Sequence, residues 1–224
     1  NNAGTGHAGL CELNYTPRAD DGSISLDKAI HTNTLFEESK QFWSYLVEKG
    51  NLGDPGRFVH PVPHMSFVRG EDDVRFLRDR YHAMREHPCF EGMEYTEDRS
   101  VIGQWAPLLL DGREGDEPLA ATRVATGTDV DFGALTRQLL ARLEEKPDEQ
   151  VRITTGQTVE DLTRNEDGSW RIKIAGNDDT QRTLNARFVF LGAGGASLHL
   201  LQKSGIPEGK GYAGFPVSGQ WLRC

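Results

Sequence analysis

Apolar residues recur at helical spacing in three parts of the chain. The first part runs from Ser25, which can cap a helix start, to Gly50, which can end the helix. The second begins at Asp72 or Asp73 and stops before Pro88, and the third covers residues 132–146. The apolar faces of the three predicted helices are Leu26, Ala29, Ile30, Phe36, Trp43, Leu46 and Val47, then Val74, Leu77, Tyr81 and Met84, and finally Leu135, Leu139 and Leu143.

Shorter patterns predict strands. Residues 60–68 contain two prolines, which suit an extended entry into an edge strand. Residues 170–175 alternate between apolar and charged side chains, so one face of that strand should be buried. Residues 187–191 end in four consecutive apolar side chains, which predicts a strand buried on both faces, as in a central parallel sheet. The remaining strand predictions are residues 120–125, 151–155 and 158–164, while the stretch around Trp105, Pro107 and Pro118 is expected to be irregular.

Composition narrows the class of protein. The 224 residues are 37% hydrophobic, as in a globular chain, and carry a net charge of −9. Nucleic acid is not an expected partner, because its binding surfaces need clustered Lys and Arg. Cys11, Cys89 and Cys224 are far apart and form no CxxC pair, so a reducing cytoplasmic compartment fits best. The most apolar stretch, residues 188–201, is too short and too polar to span a bilayer.

The sharpest local motif is a glycine-rich turn that follows the apolar run. The turn, Gly192-Ala193-Gly194-Gly195, leads into a short helix predicted over residues 197–203. Because glycine has no Cβ, the backbone can approach a flat or anionic ligand, and the helix start offers N–H groups. The motif predicts nucleotide binding, although Ser197 stands where the dinucleotide fingerprint has its third glycine. A tight turn without a ligand is the structural alternative.

Other chemistry has little support in the sequence. His60 and His64 have the spacing of a helical metal-ligand pair, but Pro61 and Pro63 forbid that helix, so no metal site is expected. Ser218 lacks the flanking glycines of a nucleophile elbow.

Several stretches together resemble the malate:quinone oxidoreductase family. Residues 1–17 (NNAGTGHAGLCELNYTP) are similar to its flavin-side loop. The other stretches are residues 61–68 (PVPHMSFV), 121–123 (ATR), 127–137 (GTDVDFGALTR), 205–211 (GIPEGKG) and 219–222 (GQWL). The similarity covers essentially the whole chain in the family's order. The family's leading strand-turn-helix with its glycine fingerprint and its closing flavin-binding segment are missing, so both ends are expected to be cut and the fragment itself to be inactive.

The resemblance implies an α/β fold, part of a two-domain FAD-dependent oxidoreductase with a nucleotide-binding half and a mixed-sheet substrate half. Residues 1–24 would form the flavin-side loop, residues 25–128 and 196–224 the two parts of the substrate domain, and residues 129–195 the central part of the FAD-binding domain. FAD is the implied cofactor, with Val159 beside its adenine and the glycine turn facing the flavin and its pyrophosphate. The implied FAD contacts are Thr5, Gly6, His7, Val159, Gly192, Ala193 and Gly194.

The implied reaction is the oxidation of (S)-malate to oxaloacetate by hydride transfer to FAD, with electrons passed to membrane quinone in the tricarboxylic acid cycle. The predicted base is His64 first and His7 second, because imidazole titrates near cytoplasmic pH. Arg123 is the predicted carboxylate clamp, since a guanidinium grips a carboxylate at two points. Malate and quinone are the expected partners, and the parent enzyme is expected to be cytoplasmic and peripheral to the inner face of the cell membrane.

Two alternatives remain. FAD could serve the oxidation of another 2-hydroxy acid, or the chain could be a non-catalytic ligand-binding piece. A nicotinamide-dependent enzyme is disfavoured, since no acidic residue closes a strand after Gly195 at the required place. Each predicted catalytic residue also has a structural alternative: His64 and His7 as structural histidines, and Arg123 as a surface or salt-bridged arginine.

Overall fold

The computed structural model of the chain describes residue 6 and residues 8–113, 115–145, 151–178 and 180–214. The chain divides into two compact units, Asn1–Val151 and Arg152–Cys224. Ser218 and Cys224 lie outside the described residues. The four domain segments implied by the resemblance stay predictions, since compactness alone does not distinguish a substrate domain from a cofactor domain.

The helices described in the first unit are α1 (Asp27–Glu48), α2 (Glu71–Arg85), α3 (Arg99–Trp105) and α4 (Phe132–Glu144). Of these, α1, α2 and α4 confirm the three helices expected from apolar spacing. The predicted cap of α1 was wrong, because Leu26 rather than Ser25 occupies the N-cap and makes no side-chain cap bond. The helix ends as predicted, since Gly50 has a φ of 67° and its N–H donates to the Val47 carbonyl at 3.0 Å.

The predicted apolar faces are mostly the buried ones. Val74, Leu77 and Met84 of α2 are buried. In α4, Leu135 is buried, but Leu143 is 38% exposed, so the seam is shorter than predicted. Leu135 packs in an apolar cluster that Leu139 also contacts. The last turn of α4, which carries Leu143, extends beyond this cluster.

Strands in the first unit form two small antiparallel sheets. They are β1 (Val59–Pro61), β2 (His64–Arg69), β3 (Glu94–Thr96), β4 (Leu119–Val124) and β5 (Thr128–Val130). Their orders are β2–β4–β3 and β1–β5. The predicted edge strand around residues 60–68 is confirmed as β1 followed by β2, which lies at the edge of its sheet, and the prediction for residues 120–125 is confirmed as β4.

The stretch expected to be irregular was predicted wrongly up to Trp105, because it contains β3 and α3, whereas the described residues between Trp105 and β4 contain only a 3-10 turn, Pro107–Leu109. Asp98 caps α3 by accepting from the Ser100 N–H at 2.7 Å. Ile102 of α3 is fully buried against Leu119 and Ala121 of β4. A helix of seven residues is too short to show a convincing apolar period, which is why the sequence pattern did not indicate it.

An aromatic cluster holds α1 against β1 and α4. The Trp43 ring meets Phe36, Phe58 and Phe132 edge-on, with centroid distances of 6.3, 6.0 and 6.4 Å. Such edge-to-face pairs contribute about 0.5–1.5 kcal/mol each beyond the burial of their area. This cluster therefore fixes the long helix to the residue that precedes β1 and to the start of α4.

The second unit contains a three-stranded antiparallel sheet with the order β6 (Gln157–Arg164), β7 (Trp170–Gly176) and β8 (Gln181–Ala186), followed by α5 (Ser197–Lys203). β6, β7 and α5 confirm their predictions, and the Asn165-Glu166-Asp167-Gly168 sequence forms the turn between the two strands. The Asn165 N–H donates to the Ser169 carbonyl at 2.8 Å, closing that turn, and Gly168 has a φ of 80°. The predicted strand over residues 151–155 is not formed, and β8 was missed because its residues are polar and exposed, without an apolar period.

Residues 187–191 do not form the predicted strand. Val189 and Leu191 line a small apolar pocket with Leu162 of β6. Phe188 and Phe190 are 78% and 83% exposed. The prediction of burial on both faces was therefore wrong for this chain, because within the described residues only one face of the run is covered.

Candidate active site and cofactor pocket

The predicted base, His64, is the first residue of β2 and is half-buried. A Cβ on Gly127 would lie 2.5 Å from Cδ2 of His64, so the turn packs directly on the imidazole. The Val62 N–H donates to the Gly127 carbonyl at 2.8 Å, and the Gly6 N–H donates to the Thr128 carbonyl at 2.8 Å. This turn therefore joins the predicted base to the predicted flavin-side loop.

The predicted residues of that loop are only partly described. Thr5 and His7 lie outside the described residues, so their roles stay predictions. Gly6 is buried, and a Cβ there would lie 2.6 Å from Cζ of Phe36 and 2.8 Å from the Thr128 carbonyl oxygen. A side chain at this position would therefore displace the turn that packs on His64.

Arg123 lies on the other face of the same two strands. His64 pairs with Val124 and Met65 pairs with Arg123 in the antiparallel register of β2 and β4. Since directly opposite residues project from the same face and successive residues alternate, His64 and Arg123 project from opposite faces. The Arg123 guanidinium lies over the Trp105 ring, 5.6 Å from its centroid. The two predicted catalytic residues are thus close along the strands but not side by side.

A small cavity opens along the His64 face of this sheet. Its volume is about 140 Å³, and Val124, Thr126 and Thr128 contribute to its wall. Glu37, Lys40 and Glu91 are its charged lining residues, and the Lys40 ammonium is already paired with Glu37 at 2.6 Å. The net negative lining disfavours a dicarboxylate as its occupant.

The second unit holds a larger opening of about 850 Å³. Its size falls within the range of about 300–1,000 Å³ typical of small-molecule and cofactor sites. Two predicted cofactor residues, Val159 of β6 and Ala193 of the glycine turn, line the same opening. The pocket also contains residues that were not predicted, namely Glu160, Asp161, Lys173, Ala196, His199, Leu200 and Lys203.

A bulge in β6 shapes one wall of this pocket. The register with β7 shifts between Val159 and Asp161, which leaves Glu160 as the extra residue. Lys203 of α5 donates from Nζ to the Glu160 carbonyl at 2.5 Å. The Lys173 ammonium lies 3.8 Å from the Glu160 carboxylate. The alternation of β6 gives no sign of a bulge, so these lysines could not be assigned to the pocket from the sequence.

The glycine turn presents an open backbone surface. Gly194 has a φ of 55°, and no heavy atom lies within 4 Å of a Cβ built on Gly194 or Gly195. Ser197 accepts the Ala193 N–H through Oγ at 2.9 Å. The predicted supply of free N–H groups is therefore reduced at Ala193, while the open face fits the close approach of a flat ligand.

Within the described residues, no group of three or more His, Cys, Asp or Glu side chains is arranged to hold a metal ion. None of the described helices is both long and apolar enough to cross a membrane.

Comparison with known proteins places this site in a family context. The sequence model of the family described as Malate:quinone oxidoreductase (Mqo) matches residues 1–224. A probable malate:quinone oxidoreductase of Bradyrhizobium diazoefficiens is 56% identical over 225 residues, covering 100% of this chain and 44% of the relative. Probable malate:quinone oxidoreductase 1 of Pseudomonas putida is 58% identical, again over 100% of this chain and 44% of its own. The chain thus spans less than half the length of these curated relatives.

Among solved structures, the chain is similar to the crystal structure of L-proline dehydrogenase from P. horikoshii. The TM-score is 0.51 at 11% sequence identity, over 79% of this chain and 42% of that chain. At this identity the likeness concerns the fold alone. It confirms the predicted α/β class.

Proposed function

This chain belongs to the malate:quinone oxidoreductase family, and on that premise we propose that the complete protein oxidises (S)-malate to oxaloacetate and passes the electrons to a quinone. The observation that carries the proposal is the family match over residues 1–224, together with 56% identity to a relative of that description. Because the chain covers 44% of that relative, the proposal concerns the complete protein rather than these residues acting alone.

FAD is the proposed cofactor, and its support in this chain is the pocket of the second unit. Val159 supplies an apolar wall, and Ala193 of the glycine turn lines the same pocket. Gly192 and Gly194 on either side of it are proposed as backbone contacts, and space is open around Gly194. The ammonium groups of Lys173 and Lys203 balance the charges of Glu160 and Asp161, so the lining does not repel a ligand that carries phosphate. When bound, FAD supplies a two-electron acceptor for the hydride. Thr5, Gly6 and His7 are proposed as further contacts.

Removal of the hydroxyl proton is proposed for His64. Oxidation of a secondary alcohol to a ketone releases a hydride from C2 and a proton from the hydroxyl oxygen, so a neutral imidazole nitrogen must accept that proton. The close packing of Gly127 on the imidazole limits its motion, which favours a fixed orientation toward one substrate atom. His7 is the alternative base.

Arg123 is the proposed carboxylate contact. His64 begins β2 and Arg123 is the next-to-last residue of β4, so both lie where the paired strands end. A small dicarboxylate at that end of the sheet can meet side chains from both faces, which a ligand over the middle of the sheet cannot. The Trp105 ring makes a cation–π contact with the guanidinium, which stabilises its position.

Anaerobic reduction of the purified full-length flavoprotein tests the proposal. We expect (S)-malate to bleach the flavin absorbance and a soluble quinone to restore it. Parallel reactions with lactate and 2-hydroxyglutarate distinguish the proposal from the alternative of another 2-hydroxy acid. Preparations that contain FAD but remain oxidised with all three acids would rule out 2-hydroxy-acid oxidation.

We further propose that the complete protein works at the cytoplasmic face of the cell membrane as a peripheral protein. The support is chemical, because membrane quinones are dissolved in the lipid. Fractionation of cells tests this, and recovery in the soluble fraction at low salt would argue against it.

A further inference from the structure

Residue 6 and residues 8–16 belong to a loop that has little regular structure, although several of its residues are buried. A single 3-10 turn, Leu13–Tyr15, interrupts it. Loops normally run over the surface, since buried backbone N–H and C=O groups must find partners and a loop has no ladder of its own. The buried residues of this loop are Gly6, Ala8, Gly9, Leu10 and Thr16.

Two side chains from neighbouring elements satisfy carbonyls of this loop. Asn33 of α1 donates from Nδ2 to the Ala8 carbonyl at 2.9 Å. Ser66 of β2 donates from Oγ to the Cys11 carbonyl at 2.7 Å. Both side chains are buried. If either donor were removed, water could not readily reach the loop carbonyl to replace the lost hydrogen bond.

Arg80 of α2 provides the third attachment. It is 0% exposed, and it donates from Nη2 to the Leu10 carbonyl at 2.9 Å and from Nε to Thr16 Oγ1 at 2.8 Å. Its Nη1 is buried without a hydrogen-bond partner, and burial lowers the pKa of the guanidinium to about 10. Loss of the loop partners would leave this buried charge without compensation, so the Arg80 contacts tie α2 to the loop.

Most buried polar side chains of the described chain contact this loop or belong to it, although Asn33 also donates to the Cys89 carbonyl at 3.3 Å. The buried polar side chains are Thr16, Asn33, Ser66, Arg80 and Thr122. The exception, Thr122, lies directly opposite Ser66 in the register of β2 and β4. Thr122 projects from the same face of the sheet as Ser66 and is also buried. It makes none of the loop contacts described above.

The loop is joined at two points to the elements that carry His64. Ser66 lies two residues beyond His64 on the same face of β2, and it binds the loop at Cys11. At the other end, Gly6 binds the Thr128 carbonyl, next to the Gly127 turn that packs on the imidazole. Movement of the loop would therefore be transmitted to the surroundings of His64.

We infer that Asn33, Ser66 and Arg80 are positioning residues, which hold residues 8–16 in one arrangement against the strand and turn that carry His64. The inference rests on the proposed function, because its catalytic meaning depends on His64 and the loop acting together. Three donors from three separate elements fix the loop against both translation and rotation. A displacement of about 1 Å at such a site can cost about 100-fold in rate.

The test uses the full-length protein with its flavin and compares Ser66→Ala, Ser66→Thr and Thr122→Val. Hydrogen exchange of the amides of residues 8–16 reports whether the loop is held. Rapid-mixing measurement of flavin reduction by (S)-malate reports whether that matters for the reaction. Thermal unfolding and flavin content serve as stability controls for each variant.

Ser66→Ala should accelerate exchange in residues 8–16 and slow flavin reduction by about 10- to 100-fold. Ser66→Thr keeps the hydroxyl and should stay near the wild type in both measurements. Thr122→Val should leave the loop exchange and the reduction rate unchanged, even if it lowers the melting temperature.

Unchanged loop exchange in Ser66→Ala would overturn the holding role. Faster exchange with a reduction rate equal to that of Thr122→Val would overturn the link to the reaction. A wild-type flavin that malate does not reduce would overturn the proposed function and the catalytic role together, and the exchange data would still show whether the loop is held.

Discussion

Gly127 and His64 are in direct contact, with the position of a Cβ on the glycine only 2.5 Å from Cδ2 and 2.6 Å from Cγ of the imidazole. Gly127→Ala must therefore move the ring or the turn, at about 1–3 kcal/mol of stability. We expect slower flavin reduction by malate in the full-length protein, with flavin content retained. Gly103→Ala, in α3 beside Leu110 and away from the ring, is the control and should keep the wild-type rate.

His64→Ala should lower kcat by about 10²–10⁴ with a smaller change in KM, because proton transfer contributes in the transition state rather than in substrate binding. Steady-state kinetics of the full-length enzyme with malate measures both constants. His60→Ala, on the exposed neighbouring strand, is the matched control. A near-normal kcat for His64→Ala would transfer the role to His7 or to a residue beyond this chain.

Arg123→Ala should mainly raise KM for malate, since a carboxylate contact is present in both the ground state and the transition state. Arg123→Lys should restore it only partly, because an ammonium lacks the two-point fork. Arg113→Ala is the control, because the Arg113 guanidinium also lies over an aromatic ring. That ring belongs to Phe67 of β2, and its centroid is 5.8 Å away. Equal KM values for the two alanine variants would leave Arg123 as a structural residue.

Gly194→Val should reduce the FAD content of the full-length protein. The branched side chain would protrude from the open face of the turn, and the positive φ adds backbone strain. Gly205→Val is the matched control, since Gly205 in the same unit also has a positive φ and open space around it. Comparable flavin loss in both variants would attribute the effect to strain rather than to cofactor contact.

Cys11 should resist thiol reagents in the folded protein. Burial, followed by the charge of Glu12, raises its pKa from 9.0 to about 12. Because the folded-state pKa is raised, this thiol's contribution to stability is fully present below about pH 9 and is lost as the pH rises toward about 12. Mass spectrometry after alkylation at pH 8, with and without urea, measures the protection. Rapid labelling of folded Cys11 would contradict it.

The elements that the sequence predicted correctly are those whose burial follows a regular period, such as α1, α2 and β7. Arg80 could not be predicted, because an arginine among the charged residues of α2 is usually at the surface, and only the fold shows that it faces a buried loop. The site was predicted in part for a similar reason. Val159 and Ala193 line one pocket, and their contact with a cofactor stays a prediction, whereas the contribution of Lys203 depends on a bulge that the alternation of β6 does not reveal.

The exposed pair Phe188 and Phe190 affects how these 224 residues would behave when produced by themselves. The two aromatic side chains lie in an uncharged segment that has strand propensity. They therefore form an exposed apolar surface through which copies of the chain can associate. Self-association at high concentration is the expected consequence. Substituting serine at both positions is then a practical route to a sample that stays monodisperse for spectroscopy.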